Sequence, residues 1–213
     1  MIPTIRPAHP EDAGFIASTI LMSQRGHLSR GWFDIALDRP EPECLAFARR
    51  VATTRARSWW HTSHFLIAEV EGTPAAALCA LPARGTVAAA RPAIEEVARE
   101  MGVAASELSA IFQRGGYFGS CWIQGGDSDW LVEHVASLPS YRGRGLVPVL
   151  IEHALAAGKA AGYTRASISF LIGNDAAERC YGKAGFVFAD EKRNPQFEAL
   201  TGAPGFRRFE RAI

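Results

Sequence analysis

The sequence predicts an α+β domain, a mixed central sheet of six to seven strands flanked by helices. Two observations carry this prediction. Residues 130–186 read strand, glycine-rich turn, helix, strand, turn, helix, the alternation that sets strands parallel. Residues 64–81 read as two apolar runs about Glu71-Gly72, the signal of an antiparallel hairpin. A single sheet holding both kinds of pairing has to be mixed. The 213 residues are long enough for a sizeable core, and they read as one domain over residues 1–213.

Thr4-Ile5-Arg6-Pro7 is a short first strand. Pro10-Glu11-Asp12 opens a helix running to about Met22, with Phe15, Ile16 and Ile20 on its buried face. Gln24 to Asp34 reads as a loop rich in Gly, Arg and aromatic residues, followed by a second helix from about Pro42 to Thr53. In Trp59-Trp60-His61-Thr62-Ser63-His64, two indoles stand beside two imidazoles. They line a pocket, sit at a subunit contact or fill the core; no carboxylate or Cys nearby completes a metal site. The hairpin strands run from His64 to Val70 and from Thr73 to Leu81, and the small Ala75, Ala76 and Ala77 imply a helix packed closely on them.

Between this hairpin and Trp130, residues 83–129 form a helical insertion between the third and fourth strands. Ala88 to Met101 and Ser106 to Gln113 carry helical periodicity, while Arg114 to Gly119 and Gly125-Gly126-Asp127 read as flexible. A connection of this length is usually functional or carries structure of its own.

Trp130 to Ser137 is a strand, ended by Leu138-Pro139-Ser140 because proline cannot donate to a ladder. Period-two alternation puts Leu131, Glu133, Val135 and Ser137 on one face and Trp130, Val132, His134 and Ala136 on the other. In Arg142-Gly143-Arg144-Gly145-Leu146-Val147, two glycines permit a tight turn and Pro148 suits the first turn of the helix that follows. That helix start combines unpaired N–H groups, a positive dipole end and two arginines, which is an anion site suited to a phosphate or pyrophosphate. Taken alone, Arg142-Gly143-Arg144-Gly145 reads first as an ordinary basic loop ahead of a helix, and the segment downstream shifts the balance. Ala166 to Ile172 is a strand, Asn174 caps a short helix from Ala176 to Ala184, and Gly185 stops it. A strand near Phe186 to Asp190, a polar loop and a last strand near Phe206 to Ala212 close the chain. Phe197 and Phe206, beside Gly202 and Gly205, read as a mobile edge.

Composition excludes several classes. With 48% hydrophobic and 21% charged residues and a net charge of +1, the chain has no general attraction for nucleic acid or an anionic membrane surface. Cys44, Cys79, Cys121 and Cys180 are scattered without a CxxC pair and read as free thiols of a reducing compartment. No leader-like or membrane-length apolar run is present, so the expected location is cytoplasmic. A dinucleotide-binding reading fails because no GxGxxG follows a first strand.

Arg142-Gly143-Arg144-Gly145 ahead of a helix, then Asn174, Ala177, Tyr181 and Gly185-Phe186, resembles the GCN5-related N-acetyltransferase (GNAT) superfamily. Arg142 and Gly145 match the first motif and every position of the second matches; Val147 departs where Gly or Ala is usual. The family plan joins the third and fourth strands by a short turn, so the insertion is a second departure.

The resemblance implies acetyl transfer from acetyl-CoA to an amine by direct attack in a ternary complex. The turn Arg142, Gly143, Arg144, Gly145, Leu146, Val147 would bind the pyrophosphate. Ala136, Ser137 and Leu138 would hold the pantetheine arm through backbone groups, with an amide polarising the thioester carbonyl. Asn174 and Ala177 would flank the arm, and Tyr181 would be the general acid. The alternative for Tyr181 is a packed helix residue with its hydroxyl on water. Glu133 is the candidate base and His134 its competitor. The segment from Gln24 to Asp34 would border the acceptor cleft, or Trp32 and Phe33 would plug the core. The insertion would cover the acceptor side or form a contact between two copies in a homodimer. The expected acceptor is a small-molecule amine. A protein N-terminus or lysine, and a non-catalytic acyl-CoA-binding module, are the other readings.

Overall fold

A computed structural model describes residues 3–84, 88–123, 125, 126 and 128–213. Seven strands form one sheet in the order β1-β2-β3-β4-β5-β7-β6. They are β1 (Thr4–Pro7), β2 (Phe65–Val70), β3 (Thr73–Pro82), β4 (Trp130–Ser137), β5 (Arg165–Leu171), β6 (Val187–Arg193) and β7 (Gly205–Ala212). Only β4 and β5 pair in parallel; the other neighbours are antiparallel, so the sheet is mixed.

Helices cover both faces. On one lie α1 (Ala13–Arg25), α2 (Trp32–Leu37), α3 (Glu41–Val51) and the insertion helices α4 (Ala90–Glu100) and α5 (Ala105–Gly115). Their core gathers Ile16, Ile20, Phe33, Phe47, Phe65 and Ile94. On the other lie α6 (Leu146–Ala160) and α7 (Asp175–Lys183), burying Leu150, Ile151, Leu155, Ile168 and Phe209. Ala75 and Ala76 of β3 belong to this second core, where small side chains let α6 approach. Among the described residues no helix is long and apolar enough to cross a membrane.

Three segments differ from the sequence expectation. The loop expected from Gln24 to Asp34 ends earlier, because Trp32–Leu37 is helix α2. Asp34 organises it by accepting the Gly31 N–H at 2.8 Å and both arms of Arg25 at 2.6 and 2.8 Å. A six-residue helix is too short to show a periodic pattern, and its stability comes from packing rather than propensity. Arg114 to Gly119, read as flexible, completes α5 and continues as a 3₁₀ turn, Gly116–Ser120. Arg114 donates to the carbonyls of Ala36 and Leu37, at 2.8 and 3.2 Å, and Trp32 Nε1 donates to Gly115 O at 3.0 Å. These bonds tie α5 to α2. Gly125 and Gly126 are described, whereas residues 85–87, 124 and 127 of the expected insertion lie outside the described residues.

The third difference lies between β6 and β7, where the polar loop is helix α8 (Pro195–Thr201). Asn194 caps it, its side chain accepting from Gln196 N and Phe197 N at 2.8 and 3.0 Å. Phe197 is not part of a mobile edge: it is 1% exposed and packs with Phe206 at 5.5 Å. After α8, Gly205 enters β7 at φ +153°, where a Cβ would stand 1.9 Å from Lys192 O. Gly205→Ala is therefore expected to cost about 3 kcal/mol or more, read as a fall in thermal midpoint.

Candidate active site

The site begins with a fault in the sheet. β4 pairs with β5 only at Trp130–Ala166, Leu131–Ser167 and Val132–Ile168, although both strands continue beyond. Past Val132 the two part. At the same level the β3–β4 register slips, with Ala77 opposite Ala136 and Cys79 opposite Glu133. His134 and Val135 thus face Leu78 alone, a β-bulge, and His134 takes it up at φ 50°, in the left-handed region that a side chain rarely occupies. The bulge bends β4 away from β5 and opens a gap through the sheet.

The bulge also corrects the expected alternation. His134 does not point to the face opposite Glu133. Its ring stacks on Phe65 at 6.2 Å and meets Trp59 edge-on at 5.6 Å, and Nδ1 lies 3.3 Å from Ser23 Oγ of α1. Val135 crosses instead to the α6 side. One extra residue reverses every side chain after it, which a period-two reading cannot foresee.

A cavity of about 930 Å³ fills the gap and reaches both helical layers. From α6, α7 and the turn before α6 come Arg142, Val147, Ala177, Cys180 and Tyr181; from β4 come Glu133, His134, Ala136 and Ser137. Trp32, Trp59, Trp60, Ile94, Phe118 and Trp122 line the far end. The cavity thus brings together Glu133, Tyr181, Ala136, Ser137, Arg142, Val147, Asn174 and Ala177. It does not include Leu138, Gly143, Arg144, Gly145 or Leu146 among its lining.

Glu133 and Tyr181 have the properties a proton donor and acceptor need. Both are nearly buried, and among the described residues neither the carboxyl oxygens of Glu133 nor the phenol oxygen of Tyr181 has a hydrogen-bond partner. Burial raises the Glu133 carboxyl to about 8. Burial, with the Cys180 and Glu133 charges adding to it, pushes the Tyr181 phenol well above its ordinary value, so it stays protonated. Burial lowers His134 to about 3, which leaves a neutral imidazole and a poor base. Linkage follows with opposite signs. The Glu133 contribution to stability is present below about pH 4.5 and is lost as pH rises through 8; that of His134 is present above 6.5 and lost as pH falls toward 3.

The turn before α6 is a built anion cradle. Gly143 and Gly145 both sit at φ +75°, with nothing within 4 Å of an added Cβ, so backbone conformation rather than crowding requires glycine. Gly145 is the N-cap of α6 and no side chain caps the helix. Among the described residues the N–H groups of Gly143 through Val147 have no acceptor. The Arg142 guanidinium likewise has no acidic partner among them, whereas Arg144 lies over the Tyr141 ring at 5.0 Å. Leu146 sends its side chain into the core, leaving only its amide to the site.

On β4 the expected backbone donors divide. Leu138 N–H is committed to Ala75 O at 2.9 Å, which removes it from any ligand. N–H directions alternate along the regular part of a strand, so Ala136 shares that side while Ser137 turns its own toward the gap. Val135, which sequence reasoning missed, also lines the cavity. Asn174 is also partly committed, since its Oδ1 accepts the Ala177 N–H at 3.2 Å as the cap of α7. These groups fit coenzyme A: five unpartnered amides and a free arginine for the diphosphate, and an unpaired strand edge for the amide-bearing arm.

A mixed sheet split between the one parallel pair among the described residues, with a helix N-terminus at the mouth of the split, is an architecture suited to an acyl-group transferase. The chain belongs to the acetyltransferase (GNAT) family, whose model matches residues 31–186, and it is an acyltransferase enzyme. No curated protein sequence matches it. Among solved structures it is similar to an N-acetyltransferase from Staphylococcus aureus Mu50, at 20% identity and TM-score 0.69, covering 99% of this chain and 100% of that one. A second acetyltransferase gives 16% identity and TM-score 0.69, covering 99% of each chain. A polyamine N-acetyltransferase of Drosophila melanogaster, which forms N-acetylagmatine, gives 13% and 0.57, covering 99% of this chain and 100% of that one. At these identities the likeness is one of fold.

Proposed function

We propose that the enzyme transfers the acetyl group of acetyl-CoA to the primary amine of a small molecule, by direct attack with both substrates bound. The observation that carries the acceptor class is the far end of the cavity. It is walled by side chains of α2, the segment after α3 and the insertion, and α4 and α5 are tied down over it. Glu96 of α4 accepts Arg55 N and Ala56 N at 2.9 and 3.3 Å, and Arg114 of α5 holds α2. A polypeptide acceptor needs a long open groove along which to lie, and α4 and α5, which line this end through Ile94 and Phe112, narrow it. That a structurally similar enzyme acts on polyamines is consistent with a small acceptor.

In this reading the amides of residues 143–147 and Arg142 hold the diphosphate, and the Ser137 N–H orients the arm and polarises the thioester carbonyl. Acetyl-CoA supplies an activated acetyl group and a thiol leaving group. Glu133 takes one proton from the acceptor ammonium and the neutral amine attacks the thioester carbonyl; as the C–S bond breaks, Tyr181 gives its proton to the departing sulfur and takes the second nitrogen proton in its place.

The test is calorimetric titration with acetyl-CoA, followed by a panel of amines and amine-bearing peptides scored by release of free CoA. Micromolar binding and turnover of small amines are expected. Turnover confined to peptides would overturn the small-molecule reading, and folded protein that takes up no acetyl-CoA would overturn the transferase reading as a whole.

A further inference from the structure

We infer that the acceptor is an aromatic monoamine, a single primary amine on a flat apolar body, and not a polycation. The inference rests on the proposed acetyl transfer and concerns what enters the far end of the cavity. Trp32, Trp59, Trp60, Phe118, Trp122 and Phe206 all line the chamber. They form a continuous aromatic surface, with ring centroids 5.1 Å apart for Trp59–Trp122 and Phe118–Trp122, 5.3 Å for Phe118–Phe206 and 5.6 Å for both Trp32–Trp60 and Trp59–Trp60. The wall is assembled from four separate stretches of chain, including the insertion, and its rings brace one another in tilted and edge-on geometry. Such a wall offers a ring the same packing and dispersion that its own members enjoy.

Charge points the same way. Among the described residues that line the cavity, Glu133 is the only carboxylate, and burial holds it near 8, so it is largely neutral at neutral pH. The charged groups at the acceptor end are Arg30 and Arg91, both cationic. Arg30 is turned to Asp34 O and Asp38, and Arg91 to Glu95 and the Phe112 face. One ammonium can be brought to Glu133 and give up a proton to its ionised form. A second ammonium on the same molecule would lose its hydration with no other carboxylate among the described lining residues to receive it. The aromatic faces would offset only part of that loss by cation–π attraction.

The experiment compares 2-phenylethylamine and tryptamine with agmatine and spermidine, using the full chain, saturating acetyl-CoA and CoA release. A kcat/KM at least about 100-fold higher for the aromatic amines is expected. In the presence of CoA, tryptophan fluorescence should quench on titration with phenylethylamine and not with spermidine. Trp122→Leu, and separately Phe118→Leu in case the first destabilises the wall, should raise KM for the aromatic amines about tenfold with kcat little changed. Equal or better turnover of the polyamines, or bound acetyl-CoA with neither turnover nor quenching by the aromatic amines, overturns the inference and leaves the transferase reading standing. Failure of acetyl-CoA itself to bind strikes that reading first, and is seen in the calorimeter before any amine is added.

Discussion

Glu133→Gln is expected to lower kcat by about 10²–10⁴ at pH 8 and to abolish the rising limb of its pH profile. The sign follows from burial. With its carboxyl raised to about 8, only about a tenth of Glu133 is ionised at pH 7, so wild-type kcat at saturating acceptor should climb with pH through a midpoint near 8 and level off about one unit above it. Glutamine keeps the shape and loses the proton acceptor. Because the carboxyl oxygens have no hydrogen-bond partner among the described residues, the substitution breaks no internal bond, and the thermal midpoint should hardly move. His134→Gln is the control. An imidazole held near 3 is almost fully deprotonated at neutral pH and too weak to compete with a carboxylate near 8, so its loss should leave the limb in place. An unchanged limb in Glu133→Gln would remove Glu133 from the role of base.

Tyr181→Phe should lower kcat by about 10² or more and leave KM for both substrates within about threefold. The phenol is on α7, which Asn174 caps and which the preceding strand delivers to the gap. Its ring packs edge-on against Phe170 at 5.5 Å, so phenylalanine retains the packing and deletes only the hydroxyl. A phenol pushed above its ordinary value is protonated at every working pH, so its O–H is present to hydrogen-bond the departing sulfur, and it passes its proton on only as it receives another from the attacking nitrogen. The effect should shrink with acyl donors whose leaving thiol is more acidic, since these need less help in departing. Full activity in Tyr181→Phe would leave Tyr181 as a packing residue.

Much of the scaffold was legible because it is written locally. The strand Trp130–Ser137 ends at Pro139, the glycines at 143 and 145 are needed for positive φ, and Asn174 and Gly185 bracket α7; each signal lies within a few residues of what it causes. Helix α8 and helix α2 were missed for the complementary reason. Each is under eight residues long and is held by burying an aromatic side chain, Phe197 or Phe33, against the rest of the fold, leaving no period to detect. The aromatic stretch at Trp59-Trp60 was recognised as unusual, but which of its alternatives holds depended on Trp122 and Phe118, some sixty residues away.

The amino-acid sequence by itself determined the mixed sheet, the positions of its main strands and helices, and the amide cradle ahead of α6, because periodicity, caps and glycine conformation act through neighbours in the chain. The tertiary structure alone decided that β4 bulges at His134, that β4 and β5 part beyond Val132, and that a wall of indoles closes the far end. Register, strand separation and cavity shape arise from which surfaces meet across the fold. The same parting desolvates Glu133 and Tyr181 together, and so sets the chemistry that neither residue carries in isolation.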